Sequence, residues 1–263
     1  MLIIGSGGQG SGADQPGSGN EHKIISFGHA FSLHPGFEIF GFIDKDINKA
    51  QKACNTWGGQ YSSNIVCDSI MKYVDVVVIA TPDNAHYELL KQLVNYPLKL
   101  VICEKPLTTD LNEAREIVGL YKSRNIPLMV DNTRNYIPCL RALTEEHGKA
   151  NFGYCLFNRG WLHSAIHAIG FFNMLGLDNY KIKEVDQEDG RKWILVSCFE
   201  DGFIWSEERI TDNMPVPKYY DQHMQYVADN AFKFLEGEQF ILYDATKALK
   251  DIEKCFLLMK NMV

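Results

Sequence analysis

Met1-Leu2-Ile3-Ile4-Gly5-Ser6-Gly7-Gly8-Gln9-Gly10 is the stretch that decides the fold. A short apolar strand runs directly into G-x-G-x-x-G, where glycines let the backbone turn tightly and approach a pyrophosphate. The expected companion is an acid at the end of the second strand that hydrogen-bonds the adenosine ribose hydroxyls, and Asp44 stands there, directly after the apolar run from Phe37 to Ile43. Gly5, Gly7, Gly8, Gln9, Gly10 and Asp44 are therefore candidate cofactor contacts. An aspartate at 44 favours NAD over NADP by repelling a 2'-phosphate, and Lys45 beside it weakens that preference.

Asp44 lies 34 residues after Gly10, where about 20 is usual. An insertion accounts for the difference. The helical pattern resumes only around His22, after a second cluster at Gly17-Ser18-Gly19, so either glycine run or both fit a phosphate, and residues 11–20 also fit a loose surface loop.

Outward from this start, apolar runs at 1–4, 37–43, 75–80, 98–103 and 127–131 alternate with helical patterns carried by Ile24, Phe27, Ala30 and Phe31, by Leu89, Leu90 and Leu93, and by Ala114, Ile117, Val118 and Tyr121. That alternation predicts a doubly wound parallel α/β sheet over residues 1–131. Residues 132–263 follow different rules: a strand at 152–158, a helix at 162–176, strands at 193–199 and 203–209 joined across Glu200-Asp201-Gly202, and helices at 219–236 and 243–261. The last helix shows an apolar stripe of Ala245, Leu249, Ile252, Phe256 and Met259. A second, short α+β domain with an open, largely antiparallel sheet is expected.

The net charge of −7 and a pI near 5.6 argue against nucleic acid or an anionic membrane as partner. Seven scattered cysteines suit reduced thiols better than a disulfide framework. With neither a signal-peptide pattern nor an apolar run of ~18 residues, the sequence predicts a cytoplasmic protein.

Glu104-Lys105-Pro106 places a carboxylate, an ammonium and a proline after the strand Leu98 to Cys103, at a sheet edge where such folds bind ligands. A structural ion pair fits the same residues. Together with Ala80-Thr81-Pro82-Asp83-Asn84-Ala85-His86, Arg134 with Pro138, and His167, the motif resembles the Gfo/Idh/MocA family of NAD(P)-dependent oxidoreductases. The resemblance implies a Rossmann domain followed by an α+β domain whose open sheet often forms a homo-oligomer interface. It implies substrates among sugars, sugar nucleotides, cyclitols and polyols, and hydride transfer at a secondary hydroxyl or ketone. Lys105 corresponds to the family's active-site lysine and His167 to its histidine acid/base, while Thr81, Pro82, Asn84, His86 and Glu104 would line the cofactor pocket.

Where the family commonly has an aspartate four residues before the histidine, this chain has His163. His163 is a further candidate for catalysis or substrate binding, alongside Arg134, Arg159 and Trp161, the last suited to stacking on a sugar face. A zinc reading of His163 and His167 lacks the glutamate of H-E-x-x-H and a third ligand, and no metal site is assigned. The enlarged glycine loop, His163 and the short second domain also fit an inactive NAD-binding sensor or assembly protein. An enzyme that keeps its NAD through a full cycle is a third reading.

Overall fold

The computed structural model describes residues 1–147, 161–174, 176, 181–186, 192–197 and 221–260. Six parallel strands form the main sheet: β1 (Leu2–Ile4), β2 (Gly41–Ile43), β3 (Tyr61–Ser63), β4 (Val76–Ile79), β5 (Leu100–Glu104) and β6 (Leu128–Asp131). Their order is β3-β2-β1-β4-β5-β6, so the direction of winding reverses between β1 and β4. Leu2, Ile3, Val77 to Ile79 and Leu100 to Cys103 are completely buried. Parallel strands covered on both faces read as unbroken apolar runs, which is why the sequence located them. The second run contracts from 37–43 to Gly41–Ile43. β3, a half-exposed Tyr-Ser-Ser edge strand, has no such run and escaped the reading.

The helices are α1 (Phe27–Leu33), α2 (Ile47–Trp57), α3 (Asp68–Met71), α4 (His86–Leu93), α5 (Leu111–Ser123), α6 (Pro138–His147), α7 (Ile166–Met174), α8 (His223–Leu235) and α9 (Ala245–Lys260). Side-chain caps set several starts: Ser26 accepts from His29 N–H, Asp46 from Asn48 N–H, and Asp110 from Asn112 and Glu113 N–H. Each such cap contributes ~1 kcal/mol. α1 thus begins at Phe27 rather than near His22. Ile24 lies outside the helix, its N–H donating to Asp221 O at 2.6 Å and its carbonyl accepting from Met224 N–H at 3.4 Å.

In the second half, the expected helix at 162–176 divides into a π-helical turn, Trp161–Ala165, and α7. β7 (Lys181–Asp186) pairs antiparallel with β8 (Lys192–Ser197). β7, a charged segment without an apolar run, was not anticipated, while the expected strands 152–158 and 203–209 and the turn Glu200-Asp201-Gly202 lie outside the described residues. α9 buries Ala245, Ala248, Asp251, Ile252, Cys255 and Leu258. Ala245 and Ile252 of the expected stripe are buried and Leu249 and Phe256 pack on the core, while Met259 is 38% exposed and the polar Asp251 is buried, so the buried face is rotated slightly from the expected stripe. The free edge of β6 is covered by the segment before α9: Val130 N–H donates to Tyr243 O at 3.0 Å. One hydrophobic cluster runs through both halves of the chain, from Leu2 and Phe42 to Ile169, Val227 and Ile252. No helix among the described residues is long and apolar enough to cross a membrane.

Candidate active site

The glycine turn after β1 divides its glycines by role. Gly5 has φ +96°, and a Cβ there would meet Ala80 O at 2.5 Å; a Cβ on Gly10 would meet Gly5 O at 1.8 Å. These two are required for the turn to close. Gly7 and Gly8 have nothing within 4 Å of a Cβ position and, with Gln9, are exposed. The segment Gly8–Gly12 forms one π-helical turn, in which Ser11 and Gly12 N–H donate to Gly7 O at 3.0 and 2.8 Å. A cavity of about 330 Å³ opens between Gly7, Gly8, Ser11, and Lys49 and Lys52 of α2. Asp44 accepts from Ser6 N–H at 2.7 Å and Asp46 N–H at 2.9 Å, one on each carboxylate oxygen. Each oxygen keeps lone-pair capacity for a ribose hydroxyl. An open glycine face, a cationic rim and a carboxylate at the end of β2 fit a dinucleotide.

The insertion is built into the fold. Asp14, 1% exposed, accepts from Ile25 N–H at 2.6 Å and Ser26 N–H at 3.0 Å, takes the Ser26 hydroxyl, and lies 3.2 Å from His29 Nδ1. His29 stacks on Trp57 at 4.5 Å between centroids, and the Trp57 indole donates to Ser11 O at 2.8 Å. A carboxylate therefore occupies the start of α1, where the helix dipole favours an anion. Glu21 takes the N–H groups of Gly17 and Gly19 at 2.6 and 3.3 Å. The second glycine run is thus engaged within the protein, and Gly5 to Gly10 is the run left open.

At the carboxyl ends of β4, β5 and β6 the motif residues converge. Lys105 Nζ donates to His163 O at 3.1 Å, and the Lys105–Pro106 peptide bond is cis. His163 is exposed, with Nδ1 3.4 Å from Asp83 Oδ2. His167 is more enclosed, its Nδ1 2.9 Å from Asn132 Oδ1. Asn132 Nδ2 donates to Ile166 O at 3.2 Å, which fixes the end of the amide that faces the histidine. An amide oxygen only accepts, so His167 carries its proton on Nδ1 and leaves Nε2 as a lone pair, with no hydrogen-bond partner among the described residues. Burial, followed by the charges of Arg134, Lys105 and His223, pushes the His167 pKa well below that of an ordinary histidine. It is a neutral base at neutral pH.

Glu104 and Asp131 are in-register neighbours on β5 and β6. Burial raises Glu104 well above the carboxylate range; the Asp131 charge adds to the shift and Lys105 opposes it. Asp131 is pushed up to about 6 by burial, against His223, Thr133 and Lys105.

Several candidates take positions the sequence did not indicate. His86, expected to line the cofactor pocket, is completely buried, with Nδ1 2.8 Å from Pro106 O and Nε2 3.1 Å from Thr81 O, so it links the two motif turns. Thr81 Oγ1 is buried with no hydrogen-bond partner among the described residues, and Pro82 and Asn84 are exposed. Arg134 sits half-buried in the 3-10 turn Thr133–Asn135. Trp161 is partly buried, with part of its ring packed against the main hydrophobic cluster. Arg159 lies outside the described residues. Asp83, Asp131, Asn132 and His223 were missed. Asp83 lay within the T-P-D-N turn and Asn132 two residues before Arg134, but no motif marked His223. A larger cavity, about 630 Å³, lies at the opposite end of β6 between Tyr121, Leu128, Phe234 and Phe240, and none of the candidate residues lines it.

A parallel sheet ordered 3-2-1-4-5-6 with an open glycine turn where its winding reverses defines a dinucleotide-binding fold. The chain belongs to the Gfo/Idh/MocA oxidoreductase family: the model of the oxidoreductase family with NAD-binding Rossmann fold matches residues 1–132. It is 26% identical over 180 residues to inositol 2-dehydrogenase of Rubrobacter xylanophilus, covering 67% of this chain and 51% of that protein. The chain spans about half or less of the length of the curated relatives it matches. Among solved structures, a dehydrogenase from Clostridium difficile has a TM-score of 0.71 at 16% identity, covering 99% of this chain and 98% of the other. The WlbA dehydrogenase from Bordetella pertussis, in complex with NADH and UDP-GlcNAcA, has a TM-score of 0.68 at 14% identity, covering 100% and 95%. At these identities the structural likeness shows the fold.

Proposed function

We propose that the chain is an NAD-dependent dehydrogenase or reductase acting on a secondary hydroxyl or ketone of a sugar, sugar nucleotide or polyol. The observation that carries this reading is His167, kept neutral by burial and by nearby cations including Lys105, with its Nδ1 proton directed to Asn132 and its Nε2 lone pair left for a substrate proton. Nicotinamide, when bound, supplies the hydride acceptor or donor. His167 Nε2 takes the hydroxyl proton as the carbonyl forms and returns it in the reverse direction. Lys105 donates a hydrogen bond to the same oxygen and stabilises its developing negative charge. Arg134 and the exposed His163 orient the substrate, and Asp44 selects NAD. The inositol dehydrogenase and the UDP-GlcNAcA-bound relative support the sugar-like substrate class.

The test is a panel of polyols and sugar nucleotides assayed with wild type, Lys105→Met and His167→Ala. Each substitution is expected to lower kcat/KM about 10²–10⁴-fold while NAD binding stays within a few-fold. Titration should show NAD bound at least about tenfold more tightly than NADP. Full turnover in both variants would overturn the roles.

A further inference from the structure

A doubly wound fold ordinarily gives the phosphates of a dinucleotide the start of its first helix. In this chain Asp14 already takes the Ile25 and Ser26 N–H groups and the Ser26 hydroxyl there, and its carboxylate would repel a second anion. Other donors remain at the glycine turn. The N–H groups of Gly7, Gly8 and Gln9 have no acceptor among the described residues. Ser6, 6% exposed, keeps a buried hydroxyl with no hydrogen-bond partner among the described residues. Ser6, Gly7 and Gly8 line the cavity of about 330 Å³ together with Lys49 and Lys52 of α2. These lysines stand three apart in the helix and so share a face. Both are exposed, and neither ammonium has an ion-pair partner among the described residues.

We propose that Lys49 and Lys52 hold the diphosphate of the cofactor against the glycine turn, in place of the start of α1. The ligand class is a nucleoside diphosphate, with one negative charge on each bridged phosphate for two ammonium groups to meet. Asp44 holds Ser6 N–H at 2.7 Å, so a phosphate at the turn also meets the field of that carboxylate, which the lysines offset. An ammonium on a flexible stem suits the task, because it reaches a phosphate as a point charge without a fixed angle of approach. Lys49 and Lys52 are binding residues and take no part in the proton and hydride steps. The inference rests on the dinucleotide-binding reading and adds to it the side chains that recognise the phosphates.

The experiment is calorimetric titration of the full chain with ADP, NAD and adenosine, comparing wild type with Lys49→Gln/Lys52→Gln. Affinity for ADP and for NAD should each fall about tenfold or more, while affinity for adenosine stays within about twofold. Lys49→Arg/Lys52→Arg should keep ADP affinity within about threefold of wild type. Lys122→Gln/Lys247→Gln, which removes the same charge from the larger cavity, should leave it unchanged. ADP bound equally well by wild type and Lys49→Gln/Lys52→Gln, or weakened to the same degree by both charge-removing pairs, would overturn the proposal. So would wild type that binds ADP no more tightly than adenosine. A loss for ADP without one for NAD would overturn the assignment to the cofactor's diphosphate. The titration reads binding without turnover, so its failure is distinct from failure of the dehydrogenase reading.

Discussion

Asn132 determines what His167 can do. Burial, with Arg134, Lys105 and His223 nearby, holds His167 neutral, but its tautomer depends on the neighbour at Nδ1, and the amide oxygen supplies an acceptor without a charge. Asn132→Asp would replace that acceptor with a carboxylate, which favours the imidazolium. The acid limb of the kcat/KM profile should then move to higher pH, by about one unit or more. A profile measured from pH 5 to 9 with an unmoved acid limb would remove Asn132 from this role. Lys105 and His167 were legible because each sits in a motif of fixed local spacing. Asn132 and His223 were not, because their roles come from residues 35 positions away or more, such as Asn132 against His167. His163 looked like a lost acid in the sequence; the fold brings Asp83 Oδ2 to 3.4 Å from its Nδ1.

At the scale of elements, the insertion after Gly10 is the clearest departure from a plain doubly wound unit. Gly and Ser composition reads as a loop, and composition carries no sign that Asp14 turns inward to take two backbone N–H groups at the start of α1. Asp14→Ala would leave those donors and the Ser26 hydroxyl unsatisfied in a buried site, at a cost of about 2–4 kcal/mol. Amide exchange in residues 11–26 should rise well above the rest of the sheet. Exchange unchanged there would show that the insertion is held by other contacts. The buried face of α9 extends beyond its apolar stripe for a related reason. Asp251 points inward to the Tyr243 hydroxyl and the Asn173 amide, so a polar residue occupies a core position that apolar periodicity assigns to solvent.

For the whole molecule, these buried groups act on stability in opposite directions. An unfolded histidine titrates at about 6.5, and folded His167 well below, so the unfolded chain takes up a proton first and stability is lost as pH falls below about 6.5. Asp251, raised to about 6 from about 3.9 when unfolded, works the other way: the folded chain takes up a proton first, and stability is gained between about pH 6 and 4. Urea unfolding of wild type and Asp251→Asn should therefore diverge, with wild type gaining ~1–3 kcal/mol relative to the variant between pH 7 and 4.5. A constant difference would contradict the shift. The sequence by itself determined the dinucleotide-binding sheet, its glycine turn and the lysine at the end of β5. Strands buried on both faces and turns that demand glycine are written in adjacent residues. Only the tertiary structure decided which nitrogen of His167 holds the proton, which acid faces His163, that Asp14 fills the start of α1, and that Glu104 and Asp131 stand in register on neighbouring strands. Each of these depends on the electrostatic environment made where distant segments pack, and no local pattern encodes it.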